Sequence, residues 1–507
     1  MDISSYSSVT PVLGAPVGME VPDIGKVTLD PLVVTLMDLM MSSTDHGVLF
    51  GTLSRCTSLS DRKSVFEDFL RIVGRNSFRF LPVAGDRRDK FRGVCYYDGR
   101  LWVQVDGILL RESLKRYLIV GLHMSSGEWF KGESRFVDAL IDGAHLSLLS
   151  PSKSVVGFAN GVYDFTDLDN IVYYPYGEGM QVTGSLPYDY VPGSGCPLWE
   201  RFLSQILDSS QRLLLQKFMS LGLVDRSKME NKIEQCLWMV GPGGAGKSTI
   251  QNVISYVYGE DNVSSLSLGQ LLSGGNDERS RYVALLSGKT FNFCKEVQLD
   301  DMTRHVDSFK SLCSGEPQQM RRIGGDVMEM REVPYLVFNM NRKPMSRNID
   351  NALLRRILFL NFRSALRGED MDTSLEDRLK QEASGIRNWL IEGYKMLRAD
   401  GFKFTSTTKA EMDESDEWFI QNGLTVELFL KKNDVRYYSF AGKNEQGRWF
   451  PVKVLYAFYS KWCEKWGYDK DADSESSMGR TLRGMGFLSK RQSMGISYRV
   501  YGAQGLV

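Results

Sequence analysis

The stretch that decides the fold is Cys236-Leu237-Trp238-Met239-Val240-Gly241-Pro242-Gly243-Gly244-Ala245-Gly246-Lys247-Ser248-Thr249. Its second part fits G-x-x-x-x-G-K-[ST], the Walker A pattern. The five apolar residues ahead of it read as a buried strand, and residues 250–258 behind it read as a helix closed by Gly259. The glycines therefore fall in a strand-to-helix turn. They let the backbone wrap a phosphate, while free N–H groups and the helix N-terminus attract negative charge. Lys247 would reach the β/γ-phosphates and Ser248 would ligate Mg²⁺. Residues Gly241, Pro242, Gly243, Gly244, Ala245, Gly246, Lys247, Ser248 and Thr249 are the candidate ATP-binding set.

Downstream, short apolar strands alternate with helical segments from residue 233 to about 362, as expected of a parallel sheet covered by helices. Such a site needs an acidic residue on a neighbouring strand to orient water and help hold the metal. Glu296 ends the run Lys289-Thr290-Phe291-Asn292-Phe293-Cys294-Lys295-Glu296, at a strand tip where ligands of open α/β sheets bind. Tyr335-Leu336-Val337-Phe338 leads to Asn339-Met340-Asn341-Arg342-Lys343-Pro344, and a strand-end Asn can hydrogen-bond both a γ-phosphate and an attacking water. Arg355 and Arg356 precede the apolar run 357–360 and leave two readings open, an arginine finger acting on a neighbour's ATP or a salt-bridged helix end. Gly324-Gly325-Asp326 reads as a hairpin turn, with Lys310, Arg321 and Arg322 as phosphate contacts if that hairpin faces nucleic acid and as solvated charges otherwise.

At 507 residues the chain is long enough for about three folding units. Lys plus Arg number 62 and Asp plus Glu 62, so nucleic-acid contact must be local and not a polybasic coat. With 42% hydrophobic and 24% charged residues, the composition suits a sizeable core. No apolar run approaches the roughly 20 residues needed to span a bilayer, and the N-terminal residues lack a signal-peptide pattern. The expectation is a cytoplasmic protein with no membrane partner. Seven cysteines without a C-x-x-C pair and four scattered histidines suggest neither a disulfide framework nor a zinc ribbon. The expected organisation is a lead-in with a helical segment at 1–75, an α+β accessory domain at 76–190, an ATPase domain with a helical collar at 197–402, and a C-terminal domain at 417–507. From residue 476 onward the charged residues are Arg480, Arg483, Lys490, Arg491 and Arg499, with no acidic residue among them. That segregation suits a nucleic-acid surface.

The order of Walker A, single glutamate, the element Phe309-Lys310-Ser311-Leu312-Cys313-Ser314-Gly315-Glu316-Pro317, strand-Asn-x-x-Pro and Arg-Arg before an apolar strand resembles the superfamily 3 helicases of the poxvirus and phage primase-helicase type. Phe158-Ala159-Asn160-Gly161-Val162-Tyr163-Asp164-Phe165 resembles that family's upstream segment. Leu455-Tyr456-Ala457-Phe458-Tyr459 with Met478-Gly479-Arg480-Thr481-Leu482-Arg483 resembles its C-terminal winged-helix module. The resemblance implies an AAA+-like P-loop ATPase with an N-terminal α+β domain and a winged-helix-like end, assembling as a homo-hexameric ring on single-stranded or forked DNA. It implies that Lys247 and Ser248 bind ATP and Mg²⁺ and that Glu296 activates water while joining Ser248 on the metal. Asn341 would sense the γ-phosphate, Arg355 or Arg356 would be the finger, and Lys310 with Arg321 would belong to the channel element. Arg480, Arg483, Lys490 and Arg491 would contact DNA from the end module.

Two departures stand out. Lys295 occupies the place of a second acidic residue, so metal coordination falls on Glu296 alone or on Asp300 or Asp301, and the hairpin tip lacks a lysine, leaving Arg322 or backbone groups. Residues 1–75 are too few for a polymerase domain, so a primase or polymerase partner would be a separate protein. The cluster Asp164, Asp167 and Asp169 reads as a turn after a strand. An initiator or loader that uses ATP only to assemble on DNA is the competing function. A small-molecule kinase accounts for the Walker A loop but not for the paired arginines or the winged-helix-like end.

Overall fold

A computed structural model of the chain describes residues 30–42, 46–81, 93–226, 229, 231–272, 275–294, 301–321, 327–344, 346, 351–362, 374–404, 416, 418–420, 422–436, 446–468, 470 and 472–502. They form two compact units. The first comprises residues up to 157 with 161–164 and 172–185, and the second comprises 158–160, 165–171 and 186 onward.

In the first unit, helices α1 (Pro31–Ser42), α2 (His46–Leu53), α3 (Leu59–Ser77), α4 (Gly107–Arg116) and α5 (Ser126–His145) accompany strands β1 (Phe78–Phe80), β2 (Val94–Tyr97) and β3 (Trp102–Gln104). Strands β4 (Val155–Phe158), β5 (Gly161–Asp164) and β6 (Val172–Tyr174) make a second small sheet. The helical spacing at residues 64–73 lies within α3, where Phe66, Leu70 and Val73 are buried. The expected division at residue 75 thus falls inside this helix. Its first turn is capped by Ser58, whose side chain accepts from the Asp61 amide, and α5 starts with a Ser125–Glu128 capping box. A Cβ on Gly74 would stand 2.0 Å from the Leu140 carbonyl oxygen, and one on Gly143 would stand 2.1 Å from that of Arg71. Glycine at both positions lets the backbones of α3 and α5 touch.

The second unit opens with α6 (Pro197–Ile206) and α7 (Ser209–Ser220). There follow β7 (Cys236–Val240), α8 (Lys247–Tyr258), β8 (Val263–Ser264), α9 (Leu268–Leu272), α10 (Asn276–Ala284), β9 (Phe291–Cys294), α11 (Val306–Cys313), β10 (Gln318–Arg321), β11 (Val327–Met330), β12 (Tyr335–Met340), α12 (Asn351–Leu354), β13 (Ile357–Asn361), α13 (Leu375–Gln381) and α14 (Ala383–Ala399). Five strands form one sheet in the order β13-β7-β12-β9-β8, and every neighbouring pair is parallel. The fold is therefore α/β at this core. Every residue of β7 and β12 is buried, which is why these strands read as apolar runs without alternation, interrupted only by Asn339. Trp238 fills the centre of one face, with ring centroids 5.9 Å from Phe309 and 5.8 Å from Phe359. Because all strands run the same way, their C-terminal ends share one edge. The first strand, β7, lies between the two last, β12 and β13, and loops from distant parts of the sequence meet there.

The chain closes with α15 (Thr425–Lys432), β14 (Val435–Arg436), β15 (Arg448–Pro451), α16 (Val452–Trp466), α17 (Glu475–Gly484), β16 (Ser489–Gln492) and β17 (Gly495–Gly502). Strand β17 pairs antiparallel with β14, β15 and β16. Val426, Phe429, Leu455, Tyr459, Met478, Leu482 and Tyr498 build a separate core here. Among the described residues no helix is long and apolar enough to cross a membrane.

Candidate nucleotide site and nucleic-acid surface

The end of β7 is held on both sides: Gly241 N–H donates to the Met340 carbonyl (3.1 Å), and Phe362 N–H donates to that of Val240 (2.8 Å). A Cβ on Gly241 would lie 2.4 Å from the Phe362 carbonyl oxygen, so only glycine passes between the flanking strands. Gly244 and Gly246 adopt φ of 76° and 85°, the left-handed turn that delivers the chain into α8. Gly246 is the N-cap and offers no side-chain acceptor. The first amides of a twelve-residue helix thus remain without a capping side chain, beside the exposed residues Pro242, Gly243 and Gly244. Such an end attracts anions.

Lys247, the first residue of α8, is only 7% exposed. Its Nζ donates to the carbonyl oxygens of Gly241 (2.6 Å) and Pro242 (2.7 Å) and lies 3.4 Å from Asn341 Oδ1. Desolvation lowers its pKa from the ordinary lysine value. Strand register explains the meeting with Asn341: Met340 is paired with Val240, so Asn341 follows β12 directly opposite Gly241. Ser248 is exposed and Thr249 half-buried at the same helix end. These residues suit a phosphate ligand, since they combine uncapped amides, a cation held among carbonyls and an exposed hydroxyl. Glu296, Lys295 and Asp300 lie outside the described residues, and Asp301 accepts from the Thr303 amide (2.8 Å) in a local turn.

The paired arginines share one carboxylate oxygen but differ in burial. Arg356 is buried, donating from Nε to Ser314 Oγ (3.0 Å) and from Nη1 to the Ala352 carbonyl (2.7 Å), with Nη2 3.5 Å from Glu234 Oε2. The Arg355 side chain is 64% exposed, and its Nη2 lies 3.8 Å from the same Glu234 Oε2. Arg356 is thus held among buried partners, whereas most of Arg355 is exposed. Glu234 lies in no motif, and Ser314, although within the run 309–317, shows its partner only in three dimensions. Gln251 and Asn339 did carry a signal, being polar residues within buried runs. Asn339 donates to Gln251 Oε1 (2.8 Å) beneath the Lys247 turn.

The expected hairpin is present as β10 and β11, antiparallel with Arg321 opposite Val327, while Arg322 and the turn lie outside the described residues. Arg321 pairs with Asp277 at 2.8 Å and Lys310 lies 3.9 Å from Asp307, so both cations have acidic neighbours. The cluster around Asp167 is a turn, with Asp167 Oδ1 accepting from the Asp169 amide (3.0 Å) and Asp169 bound to Arg398 at 2.6 Å.

Residues 239–356 match DUF5906, described as a family of unknown function. The matched segment begins within β7 and ends at Arg356, enclosing the Lys247 loop, the hairpin and Asn341. Among solved structures, the apo structure of the NrS-1 C-terminal region (305–718) is 14% identical with a TM-score of 0.34, covering 69% of this chain and 95% of that one. The A form of the same region is 13% identical with a TM-score of 0.36, covering 69% and 95%. That likeness is too slight to carry fold or chemistry.

At the C-terminal end, α17 exposes Arg480 and Arg483, and all four residues of β16 are exposed, including Lys490 and Arg491. Ser474 caps α17 by accepting from the Ser477 amide (3.2 Å), and Tyr498 donates to the Gly479 carbonyl (2.8 Å), pinning the helix on β17. Lys490 Nζ stands 4.1 Å from the Trp449 ring centroid, a cation–π contact that leaves its charge at the surface.

Proposed function

We propose that this chain is an ATP-driven DNA motor of the superfamily 3 type that serves viral, phage or mobile-element replication. The single observation that carries the reading is the meeting of Lys247, the uncapped start of α8 and Asn341 at the C-terminal edge of a parallel sheet. That arrangement supports a bound nucleoside triphosphate, with amides of residues 243–248 on the phosphates and Lys247 turned from its carbonyls toward them. Asn341 would then bind the γ-phosphate or the attacking water, and its position beside Lys247 supports that role. Ser248 and Glu296 would hold Mg²⁺, which supplies neutralising charge on the phosphate oxygens. Glu296 would orient the water and accept its proton.

Exposed Arg355 is the proposed finger, reaching the ATP of a neighbouring copy in a homo-hexameric ring; its outward position supports this over Arg356. Lys310, Arg321 and Arg322 at the hairpin, and Arg480, Arg483, Lys490 and Arg491 at the end module, are the proposed DNA contacts. The helix–strand–strand–helix–helix–hairpin order of residues 425–502 supports a winged-helix-like reading of that module.

Hydrolysis by the full-length protein, measured with and without single-stranded DNA, tests this. DNA should stimulate hydrolysis, and Lys247→Ala should abolish it. A well-folded protein whose hydrolysis ignores DNA would overturn the proposal, and ring assembly on DNA without strand displacement would favour the loader.

A further inference from the structure

We infer that Trp418 and Asn422 form a bracket between the loop that carries Asn341 and the C-terminal module, so that nucleotide and DNA binding are energetically coupled through it. This rests on the function proposed above.

The loop leaving β12 is gripped at two points by one short segment. Trp418 Nε1 donates to the Pro344 carbonyl (2.7 Å), and Asn422 Oδ1 accepts from the Ser346 amide (2.6 Å). The two gripping residues are bound to each other, with Asn422 Nδ2 donating to the Trp418 carbonyl (2.7 Å). Trp418 itself is 0% exposed. Its ring centroid lies 5.2 Å from that of Trp238, the central residue of β7. A buried indole wedged against the strand that feeds the Lys247 loop cannot shift without opening a void, so the segment moves with the sheet.

Its other side belongs to the C-terminal module. Asp416 Oδ2 pairs with Lys432 Nζ of α15 at 2.5 Å, and Lys431 Nζ stands 5.1 Å from the Phe419 ring centroid. Leu424 N–H donates to the Phe419 carbonyl (2.9 Å), so the turn into α15 is itself closed. Val426, Phe429 and Leu430 of α15 then enter the core that also holds Met478 and Leu482 of α17. Contacts thus run from Pro344, three residues after Asn341, to the core that holds the helix bearing Arg480 and Arg483. A γ-phosphate that repositions Asn341 must move Pro344 and Ser346 against this bracket, and DNA seated on α17 bears on it from the other side. Two ligands that bias one element are coupled, and reciprocally.

The test uses the full-length protein, fluorescein-labelled single-stranded and forked DNA, and a non-hydrolysable ATP analogue with Mg²⁺. The analogue should change wild-type DNA affinity by about fivefold or more, and DNA should change analogue affinity by the same factor. Trp418→Phe keeps a ring against Trp238 and removes the donor to Pro344, while Asn422→Ala removes the second grip. Each should bring the coupling factor toward one, while DNA affinity without analogue and analogue affinity without DNA stay within about twofold of wild type, as for loss of one neutral hydrogen bond. A coupling factor of one in the wild type overturns the inference, and so do variants that keep the wild-type factor or that lose either separate affinity. Failure of the wild type to bind the analogue at all overturns the function itself, and that arm is read on its own.

Discussion

The Lys247 turn and the β16 surface both carry cations that the proposed function sets against phosphates, yet they are built in opposite ways. Lys247 is buried, desolvated and held by two carbonyls with a third oxygen nearby. Lys490 and Arg491 stand on a fully exposed strand, one of them resting on an indole face. Burial makes a charge position-specific, because its field is little screened and its geometry is fixed. Exposure makes a charge interchangeable with its neighbours and dependent on salt. The difference teaches that this chain would read one phosphate group by place at the sheet edge and many phosphates by number at its end.

Substitutions can break that contrast. The largest effect should come from the paired arginines, where the same distinction recurs within two residues. Arg355→Ala should lower ATP hydrolysis about a thousandfold, the size of an arginine-finger loss, with the melting curve unchanged. Arg356→Ala should instead destabilise the fold by about 2 kcal/mol, because it removes a buried guanidinium that bonds Ser314 and the Ala352 carbonyl, while Glu234 keeps Arg355 and Lys232. Thermal denaturation with a hydrolysis assay separates them, and a reversed pattern would show the inward arginine to be the finger. At the exposed surface, Lys490→Ala with Arg491→Ala should weaken DNA binding modestly, and the slope of log affinity against log salt should fall by about two. A titration from low to high salt checks this; an unchanged slope would remove both residues from the interface.

The smallest effect concerns protons. Since Lys247 titrates below the ordinary lysine range, the folded chain binds fewer protons than the unfolded chain in the interval up to about pH 10.4. Folding stability should therefore rise with pH across that interval while nucleotide affinity falls as the cation is lost. Lys247→Arg cannot deprotonate and should flatten both trends.

Much of the nucleotide edge was legible because its signals are local. The apolar run 236–240, the glycines and the Asn after 335–340 each encode their own segment, and register does the rest by setting Asn341 opposite Gly241. Which of Arg355 and Arg356 is buried could not be read, because that depends on contacts with Ser314, Ala352 and Glu234 that no spacing announces. Trp418 was missed for a related reason. It stands at the start of the expected C-terminal domain, and its partner Trp238 is 180 residues earlier. Glu296 and Arg322 have motif positions but lie outside the described residues.

The strand order β13-β7-β12-β9-β8 also constrains how the chain can be made. Strand β7 leaves the ribosome first, yet both of its neighbours are synthesised about a hundred residues later, a delay that raises the sequence separation of its pairings. Until Met340 emerges, neither of its backbone edges has a partner strand, and the edge that takes β13 stays open until Asn361 emerges. The nascent segment should therefore be a strong client for chaperones, and nucleotide should be unable to assist folding until the end of that synthesis.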